Sequence, residues 1–486
     1  MIDKVVIKRL ATGVPGLDAL LSGGLPEFSF NLIAGAPGSG KTTLAHQIMF
    51  ALANPQHRAI FFTVLGEPPL KMLRYQQQYS FFDAAKVNES IRFINLADEI
   101  VAGDYGKVLK RIVEEVERFE PALVMVDSFR SVVQTARSAG KDDMELQHFV
   151  QRLGMLLTTW RATTFLIGEY SVPNSETDPI FTVADGILWM VQSVERNSMV
   201  RKIQVMKMRG QATVPGLHTF RISDDGVQIF PRTIAPTPKP PGDAASTVGV
   251  APARLSMGVP LLDELMGGGL PSGYSLLVAG PSGSGKSQLA AAFLAEGARA
   301  GEKGVIAAFE KSPTRSRKLR LDELIASGDV CMIDTRALDL SIDETLYALT
   351  QLIEKTGATR VVVDSLSGFE LALAASFRED FRESLHRMIA VLTGMGVAVL
   401  LISELEDRYT DLRFSPYGAA FLTDAIIVQR YVELKGQLRR VMAVVKLRNS
   451  AHSHELRPYD ITDAGIVIGQ PTPDMDAMLT GHPRPA

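Results

Sequence analysis

The chain has 486 residues, which is long for one hydrophobic core and predicts two or three domains. Apolar residues make up 46% of it and charged residues 22%, which is the ordinary composition of a soluble globular protein. The formal net charge of -3 excludes a strong overall attraction to nucleic acid, although a local basic groove is compatible with this total.

Cysteine usage and the apolar runs indicate a compartment. Cys331 is the single cysteine, so no intramolecular disulfide can form, and a reducing environment is favoured. Residues 1–5 lack the basic start and apolar run of a secretory signal. The longest nearly uncharged stretch, Met388 to Ser403, is too short and too interrupted by glycine to span a bilayer. We therefore expect a cytoplasmic protein that does not enter a membrane.

The first element with recognisable chemistry is a glycine-rich loop from Gly35 to Thr42. A predicted strand, Phe30 to Ala34, precedes it, and a predicted helix, Thr43 to Ala51, follows. The loop fits G-x-x-x-x-G-K-[ST], in which backbone N–H groups and the Lys bind nucleotide phosphates and the hydroxyl holds Mg²⁺. The N-terminus of the helix adds a favourable dipole. The predicted nucleotide ligands are Gly35, Gly38, Ser39, Gly40, Lys41, Thr42 and Thr43.

The same pattern returns from Gly280 to Ser287, again between a predicted strand, Ser275 to Ala279, and a predicted helix, Gln288 to Ala298. A glycine-rich turn without a ligand explains one such match more easily than two in the same context. The predicted nucleotide ligands of this second loop are Gly280, Gly283, Ser284, Gly285, Lys286, Ser287 and Gln288.

The two loops belong to a longer internal repeat, which decides the architecture. The matching segments are residues 12–18 and 257–263, 23–26 and 268–271, 124–128 and 361–365, and 205–209 and 444–448. We therefore predict one domain at residues 1–230 and a second at 253–468. The proline-rich segment 231–252 is predicted to link them. Residues 469–486 are predicted to be disordered or to dock a regulatory partner.

Each half alternates short β-branched or aromatic runs with longer helical ones, which predicts an α/β fold with a mostly parallel sheet covered on both faces. A C-terminal antiparallel hairpin is expected in each half. The predicted later strands are 59–64, 91–95, 123–127, 164–168, 186–193 and 200–208 in the first half, and 305–309, 330–334, 361–364, 397–403, 425–433 and 440–447 in the second.

Carboxylates follow several of these strands. Asp127 and Asp364 each end an apolar strand beside a phosphate loop, where such a group holds magnesium through water together with Thr42 or Ser287. The alternative is a turn residue. Glu310, directly after the strand that follows the second loop's helix, is our candidate general base and a further metal candidate. In the first half Glu67 comes later, before Pro68, and serves equally well as an acid at a helix start.

Two pairs of basic residues, Lys207 with Arg209 and Lys446 with Arg448, lie at strand ends. Residues two apart in a strand point to one side, so each pair suits a γ-phosphate. They are far along the sheet from their own loop. Our hypothesis is that they reach the nucleotide of a neighbouring subunit; the alternative is a solvated charge pair.

The order G-x-P-x-x-D, G-G-L-P, phosphate loop and K-x-R-[GN], written twice from Leu10 to Ile468, resembles the KaiC family of circadian-clock and clock-like proteins. This resemblance implies two RecA-like domains in a two-tiered homohexamer, with ATP at each subunit interface and slow ATP hydrolysis. It also implies Ser/Thr autokinase and autophosphatase activity in the second domain. His454 falls about where the family has a third basic residue that acts on the neighbouring subunit's nucleotide.

The chain departs from the family at two places. Where the family has two adjacent glutamates, this chain has Leu65-Gly66 in the first half and Glu310-Lys311 in the second. Where the family has its phosphorylated Ser-Thr pair, this chain has Ala420-Phe421, which carry no hydroxyl. Ser415 and Thr423 are the nearest remaining hydroxyls. We expect no two-site phosphorylation cycle.

Three functions follow from this pattern. The first is a hexameric, Mg²⁺-dependent ATPase whose nucleotide state changes a conformation that a partner recognises. The second is an ATP-binding switch or scaffold with little hydrolysis, and the third is a RecA-like nucleic-acid motor. The third is disfavoured because the basic run from Arg315 to Arg320 contains no aromatic residue.

Overall fold

The computed structural model describes residues 7–64, 69–101, 105–129, 143–171, 179–195, 198–232, 253–309, 321–333, 341–373, 378, 381–405, 419–434, 436–463 and 465–471. The chain separates into two compact units, Met1–Arg232 and Thr233–Ala486, called here the first and second units. The predicted linker and tail lie largely outside the described residues and stay predictions. No helix within the described ranges is long and apolar enough to cross a membrane.

The first unit alternates strands and helices. Its strands are β1 (Arg9–Leu10), β2 (Leu25–Pro26), β3 (Phe30–Gly35), β4 (Ala59–Thr63), β5 (Ile91–Asn95), β6 (Leu123–Asp127), β7 (Thr163–Glu169), β8 (Gly186–Glu195), β9 (Ser198–Met208), β10 (His218–Ser223) and β11 (Gly226–Phe230). Its helices are α1 (Leu17–Leu20), α2 (Lys41–Leu52), α3 (Pro69–Gln76), α4 (Ala97–Val101), α5 (Tyr105–Phe119), α6 (Asp143–Thr159) and α7 (Pro179–Val183), with a 3₁₀ turn at Ala84–Lys86.

Across the described residues, nine of these strands form one sheet in the order β11-β10-β9-β8-β3-β7-β6-β4-β5. The six neighbouring strands β8, β3, β7, β6, β4 and β5 run parallel to one another. The remaining three are added at the β8 edge, and there each strand is antiparallel to its neighbour, from β8 through β9 and β10 to β11. Every residue of β3 is buried, as expected for a strand covered on both faces. Leu32 packs in the cluster beneath α5 and α6, and Ile33 in the cluster beneath α2. The loop strand thus lies at the centre of the fold.

The second unit repeats this arrangement. Its strands are β12 (Arg254–Leu255), β13 (Leu270–Pro271), β14 (Ser275–Gly280), β15 (Gly304–Ala308), β16 (Val330–Ile333), β17 (Arg360–Asp364), β18 (Ala398–Glu404), β19 (Ala425–Leu434), β20 (Gln437–Leu447), β21 (Arg457–Thr462) and β22 (Gly465–Ile468). Its helices are α8 (Pro260–Leu265), α9 (Lys286–Arg299), α10 (Leu321–Ala326), α11 (Ile342–Thr356), α12 (Leu366–Ala372), α13 (Phe381–Gly394) and α14 (Ala419–Leu422).

The sheet of the second unit, as far as it is described, has the order β16-β15-β17-β18-β14-β19-β20-β21-β22. Its loop strand β14 again lies between two parallel neighbours, β18 and β19. Side chains alternate between the two faces: Val278 packs under α9 and Leu277 under α11 and α13. The equivalence of the two units places both phosphate loops at the carboxyl end of a central strand.

The predicted fold class is confirmed: two tandem α/β units, each with a mostly parallel sheet and a C-terminal antiparallel hairpin. The predicted strands are present with limits shifted by a few residues. Strands β10, β11, β21 and β22 were missed. Each has at most six residues and lies towards the outer edge of its sheet, and all but β22 are interrupted by polar residues, as in His218–Ser223. None of them therefore has the long apolar run that marks a central strand.

Candidate nucleotide-binding sites

In both phosphate loops the residue before the lysine is a glycine with a left-handed backbone. Gly40 has a φ of 98° and Gly285 a φ of 100°, and α2 and α9 begin at the next residue. Only glycine adopts this conformation without steric cost. The turn directs the first N–H groups of each helix, which have no partner within the helix, towards the place where phosphates bind.

The predicted phosphate-binding lysines are held inside their loops. Lys41 Nζ donates to Ala36 O at 2.8 Å. Lys286 Nζ donates to Gly280 O at 2.8 Å and to Pro281 O at 2.7 Å. Burial lowers the pKa of Lys41, and the charges of Glu169 and Asp127 oppose that shift. The positive charge that a phosphate needs is thus already in place in each loop.

Thr42 and Asp127, predicted to hold magnesium in the first unit, are in contact. Thr42 Oγ1 donates to Asp127 Oδ2 at 2.6 Å. Burial raises the pKa of Asp127 to about 6, although the bond from Thr42 and the charge of Lys41 lower it. A carboxylate and a hydroxyl are the hard oxygen ligands that Mg²⁺ prefers, so the residues present fit this ion. In the second unit Asp364 ends β17 in register with Ala308, as Asp127 ends β6 in register with Thr63.

Sequence reasoning missed a second carboxylate at this edge. Glu169 ends β7 directly opposite Gly35, and Glu404 ends β18 directly opposite Gly280. The charge of Glu169 acts on both Lys41 and Asp127. The signal was an acidic residue directly after each of the predicted strands 164–168 and 397–403, so both predicted ends stopped one residue short of it.

A cavity of about 520 Å³ opens at the first loop, a size typical of small-ligand sites. Predicted residues that line it are Gly38, Gly40, Lys41, Thr42, Thr43 and Asp127. Glu169, Arg201 and Tyr79 line it as well, although the sequence had not indicated them. The cavity therefore combines a phosphate loop, two carboxylates, a guanidinium and an aromatic ring.

Both candidate general bases, Glu67 and Glu310, lie outside the described residues, and so does Ser415. The catalytic role of the two glutamates, and the metal role of Glu310, stay predictions. Thr423 is described and is fully buried. Phe421, in place of a hydroxyl residue, is 73% exposed.

The basic pair of the first unit lies at the opposite end of the sheet from its own loop. Lys207 is paired with Ile187 near the start of β8, level with Leu32 of β3. Its Nζ donates to Phe181 O at 3.1 Å and Thr182 O at 3.0 Å. Arg209 donates to Thr182 O at 3.3 Å and to Asp185 Oδ1 at 3.1 Å. The two side chains thus contact one segment, as predicted for residues two apart.

The basic pair of the second unit has the same surroundings. Lys446 Nζ donates to Thr423 O, and Arg448 donates to Phe421 O at 3.2 Å and Asp424 Oδ1 at 3.3 Å. The Arg448 side chain is 47% exposed. Partial burial, and then the neighbouring arginine, lower the pKa of Lys446, as they lower that of Lys207.

The last predicted basic residue, His454, is exposed and packs edge-on against His452, with ring centroids 4.5 Å apart. Its proposed contact with a nucleotide stays a prediction.

Comparison with known proteins agrees with this geometry. The family model for the KaiC ATPase matches residues 10–234 and 255–473. The circadian clock oscillator protein KaiC of Rippkaea orientalis is 27% identical over 98% of this chain and 92% of its own. KaiC of Picosynechococcus sp. is 26% identical over the same shares, and KaiC3 of Synechocystis sp. is 26% identical over 99% of this chain and 96% of its own. The chain belongs to the KaiC family of ATPases, with one family unit in each half.

Proposed function

We propose that this protein is a Mg²⁺-dependent ATPase that assembles as a homohexamer, with ATP at each subunit interface. In this proposal the nucleotide state drives a conformational change that a regulatory partner recognises, through the C-terminal tail or another surface. The protein acts in the cytoplasm, and neither nucleic acid nor a membrane is a partner. The family membership and the two phosphate loops support the nucleotide.

One observation supports the assembly of several copies of the chain. In each unit the groups suited to a triphosphate are divided between opposite ends of the sheet. The first phosphate loop follows Gly35, whereas Lys207 is level with Leu32, about 10 Å back along the strand, and is held on residues 181 and 182. Lys446 and Arg448 repeat this separation. A second copy of the chain brings the two ends together.

Each predicted residue then has a role in the nucleotide site. Lys41 and Lys286 bind the β- and γ-phosphates, and Asp127 and Asp364, with Thr42 and Ser287, hold the magnesium. Magnesium held there would neutralise charge on the phosphates. Lys207 and Arg209, or Lys446 and Arg448, stabilise the γ-phosphate from the neighbouring subunit.

Water activation distinguishes the two units. Glu310 orients and deprotonates water in the second unit. The first unit has Leu65-Gly66 where the matching acid belongs, so it hydrolyses ATP more slowly or only binds it. Autophosphorylation at two sites is not part of the proposal, because Ala420 and Phe421 carry no hydroxyl.

A complementation experiment tests the shared site. Two variant chains are prepared, and both carry Lys41→Ala so that the first unit is inactive. One chain also carries Lys286→Ala, and the other also carries Arg448→Ala. Each is expected to hydrolyse ATP poorly alone. Mixed before assembly, an intact loop of one chain meets an intact Arg448 of the other, and about a quarter of the second-unit activity returns by random assortment. No recovery in a mixture that forms hexamers would overturn the shared site.

A further inference from the structure

The two phosphate loops differ in what holds them. In the second unit Ser284 is fully buried, and its Oγ donates to Gln429 Oε1 at 3.1 Å. Gln429 is itself fully buried in β19. The backbone carbonyl of Ser284 accepts a hydrogen bond from Tyr459 Oη, and Tyr459 is 2% exposed. Two side chains of the antiparallel strands thus hold one residue of this loop.

The first loop lacks both hydrogen bonds. Ser39, at the position of Ser284, is fully buried, and its Oγ has no hydrogen-bond partner within the described part of the chain. Met190 occupies the position that Gln429 has in the second unit. Met190 lies beside Gly35, the last residue of β3, and Gln429 lies beside Gly280, the last residue of β14. Phe220, third in β10, stands where the second unit has Tyr459, third in β21.

The strands concerned lie against the loop in both units. A Cβ built on Gly40 would meet Ile222 Cδ1 at 2.6 Å, and one on Gly285 would meet Ile461 Cδ1 at 2.8 Å. The framework around the loops is therefore the same, and the difference is chemical. Each unit holds a buried loop serine, but only the second surrounds it with polar partners.

We propose that Gln429 and Tyr459 are positioning residues that set the second phosphate loop in its phosphate-binding conformation before a nucleotide arrives. The first loop has the same left-handed glycine turn but lacks these two hydrogen bonds, so it fluctuates more until the phosphates bind. The inference rests on the proposed nucleotide function and adds a difference between the two sites. A binding loop that is already ordered gives tighter binding because less conformational freedom is lost on association.

The chain supplies its own matched substitutions. Gln429→Met with Tyr459→Phe gives the second loop the surroundings of the first, and Met190→Gln with Phe220→Tyr does the reverse. Tyr459→Phe alone removes one oxygen atom and preserves packing. Burial raises the pKa of Tyr459, so its hydroxyl stays a donor across the whole working pH range.

Hydrogen exchange on the nucleotide-free full chain tests the positioning without any catalytic readout. The amides of residues 282–287 are expected to exchange more slowly than those of 38–42, and the two second-unit substitutions are expected to remove that protection. The reciprocal pair should slow exchange in the first loop. Unchanged exchange in the Tyr459→Phe chain and in both swapped pairs would overturn the inference.

Binding of Mg-ATP then tests the consequence, with Lys41→Ala isolating the second site and Lys286→Ala isolating the first. Gln429→Met with Tyr459→Phe is expected to weaken binding about threefold to tenfold and leave kcat unchanged, the effect of losing ordinary hydrogen bonds. Met190→Gln with Phe220→Tyr should strengthen binding at the first site. Equal affinities in swapped and unswapped chains would contradict the proposal.

A double-mutant cycle locates the effect at Ser284. Once Ser284→Ala has removed the hydroxyl, Gln429→Met should add little further loss, whereas additive losses would contradict action through that hydroxyl. The exchange and binding results also separate the two levels of proposal. If the substitutions alter hydrogen exchange in the loops but the chain binds no ATP, the nucleotide function is refuted and the positioning role is supported. If the chain binds ATP but the substitutions leave hydrogen exchange unaltered, the positioning role is refuted and the nucleotide function is supported.

Discussion

The two units share a framework and differ in the polar groups inside it. In the second unit Arg360, 2% exposed, begins β17; its Nε lies 2.7 Å from Glu302 Oε2, and its Nη1 donates to Ser256 O and Phe293 O at 2.7 Å. The first unit has Leu123 at the matching start of β6. The two units thus share their backbone arrangement and their loop residues but differ in the side chains of their interior.

The first unit has its own buried polar residue. His46 of α2 is fully buried, stacks on Phe61 with centroids 4.4 Å apart, and makes no hydrogen bond to any described residue. The second unit has Ala291 at the matching position of α9. The units should therefore respond differently to pH and to mutation, although they fold alike.

The largest expected effect concerns the arginines that the two units share. Arg448→Ala is expected to lower ATP turnover by the second unit on the order of 10³-fold while leaving ATP affinity nearly unchanged, because the residue acts on the transition-state charge. Arg209→Ala should affect the slower first unit less. Turnover and nucleotide binding are measured on the Lys41→Ala and Lys286→Ala chains. Unchanged turnover in Arg448→Ala would remove its catalytic role.

Arg360 gives the next largest effect. Arg360→Ala removes a buried guanidinium and leaves Glu302 and two carbonyls without their partner, so we expect the second unit to lose about 3 kcal/mol of stability. Hydrogen exchange in β17 and β18 during urea unfolding measures this locally. Arg299→Ala removes a guanidinium whose side chain is 76% exposed and is the control, with little change expected. Equal stability of the two variants would refute a structural role for Arg360.

His46 predicts a pH effect confined to the first unit. Burial lowers its pKa from 6.5 to about 3, so between these values the unfolded chain binds a proton that the folded chain does not. Stability must then fall as the pH falls, by about 2 kcal/mol between pH 7 and pH 5. Trp160 and Trp189, the two tryptophans of the chain, both lie in the first unit and report its unfolding in urea.

The control for that experiment is His46→Leu, which should reduce the pH dependence. The raised pKa of Asp127, about 6, makes the folded state more stable as the pH falls, which is opposite in sign to the effect of His46. Because Asp127 is present in both chains, the difference in pH dependence between the two chains reports His46 alone. The same pH dependence in both chains would contradict the assignment.

The smallest effect concerns magnesium in the first unit. Because the pKa of Asp127 is raised to about 6, protons should compete with Mg²⁺ as the pH falls below that value. We expect Mg-ATP binding on the Lys286→Ala chain to weaken about tenfold from pH 7 to pH 5. Asp127→Asn should bind weakly at both pH values. Equally strong Mg²⁺-dependent binding by Asp127→Asn would remove the residue from the metal site.

The sequence predicted what depends on local pattern. Apolar runs placed the central strands, and the glycines and lysines of the two loops marked the sites, because their spacing is tied directly to phosphate geometry. It missed Glu169 and Glu404, since a carboxylate after a strand acquires meaning only when the register places it beside a loop glycine. It also missed the contrast between Gln429 and Met190, which lie far along the chain from the serines they surround.

The proposed ATPase activity depends most on a second copy of the chain that completes each nucleotide site. Weighing the particle in solution, by sedimentation or native mass measurement, with and without Mg-ATP tests this most directly. We predict six copies of the 52.9 kDa chain with nucleotide bound in both units. A single chain that stays monomeric in saturating Mg-ATP, or a particle with both loops empty, would contradict it.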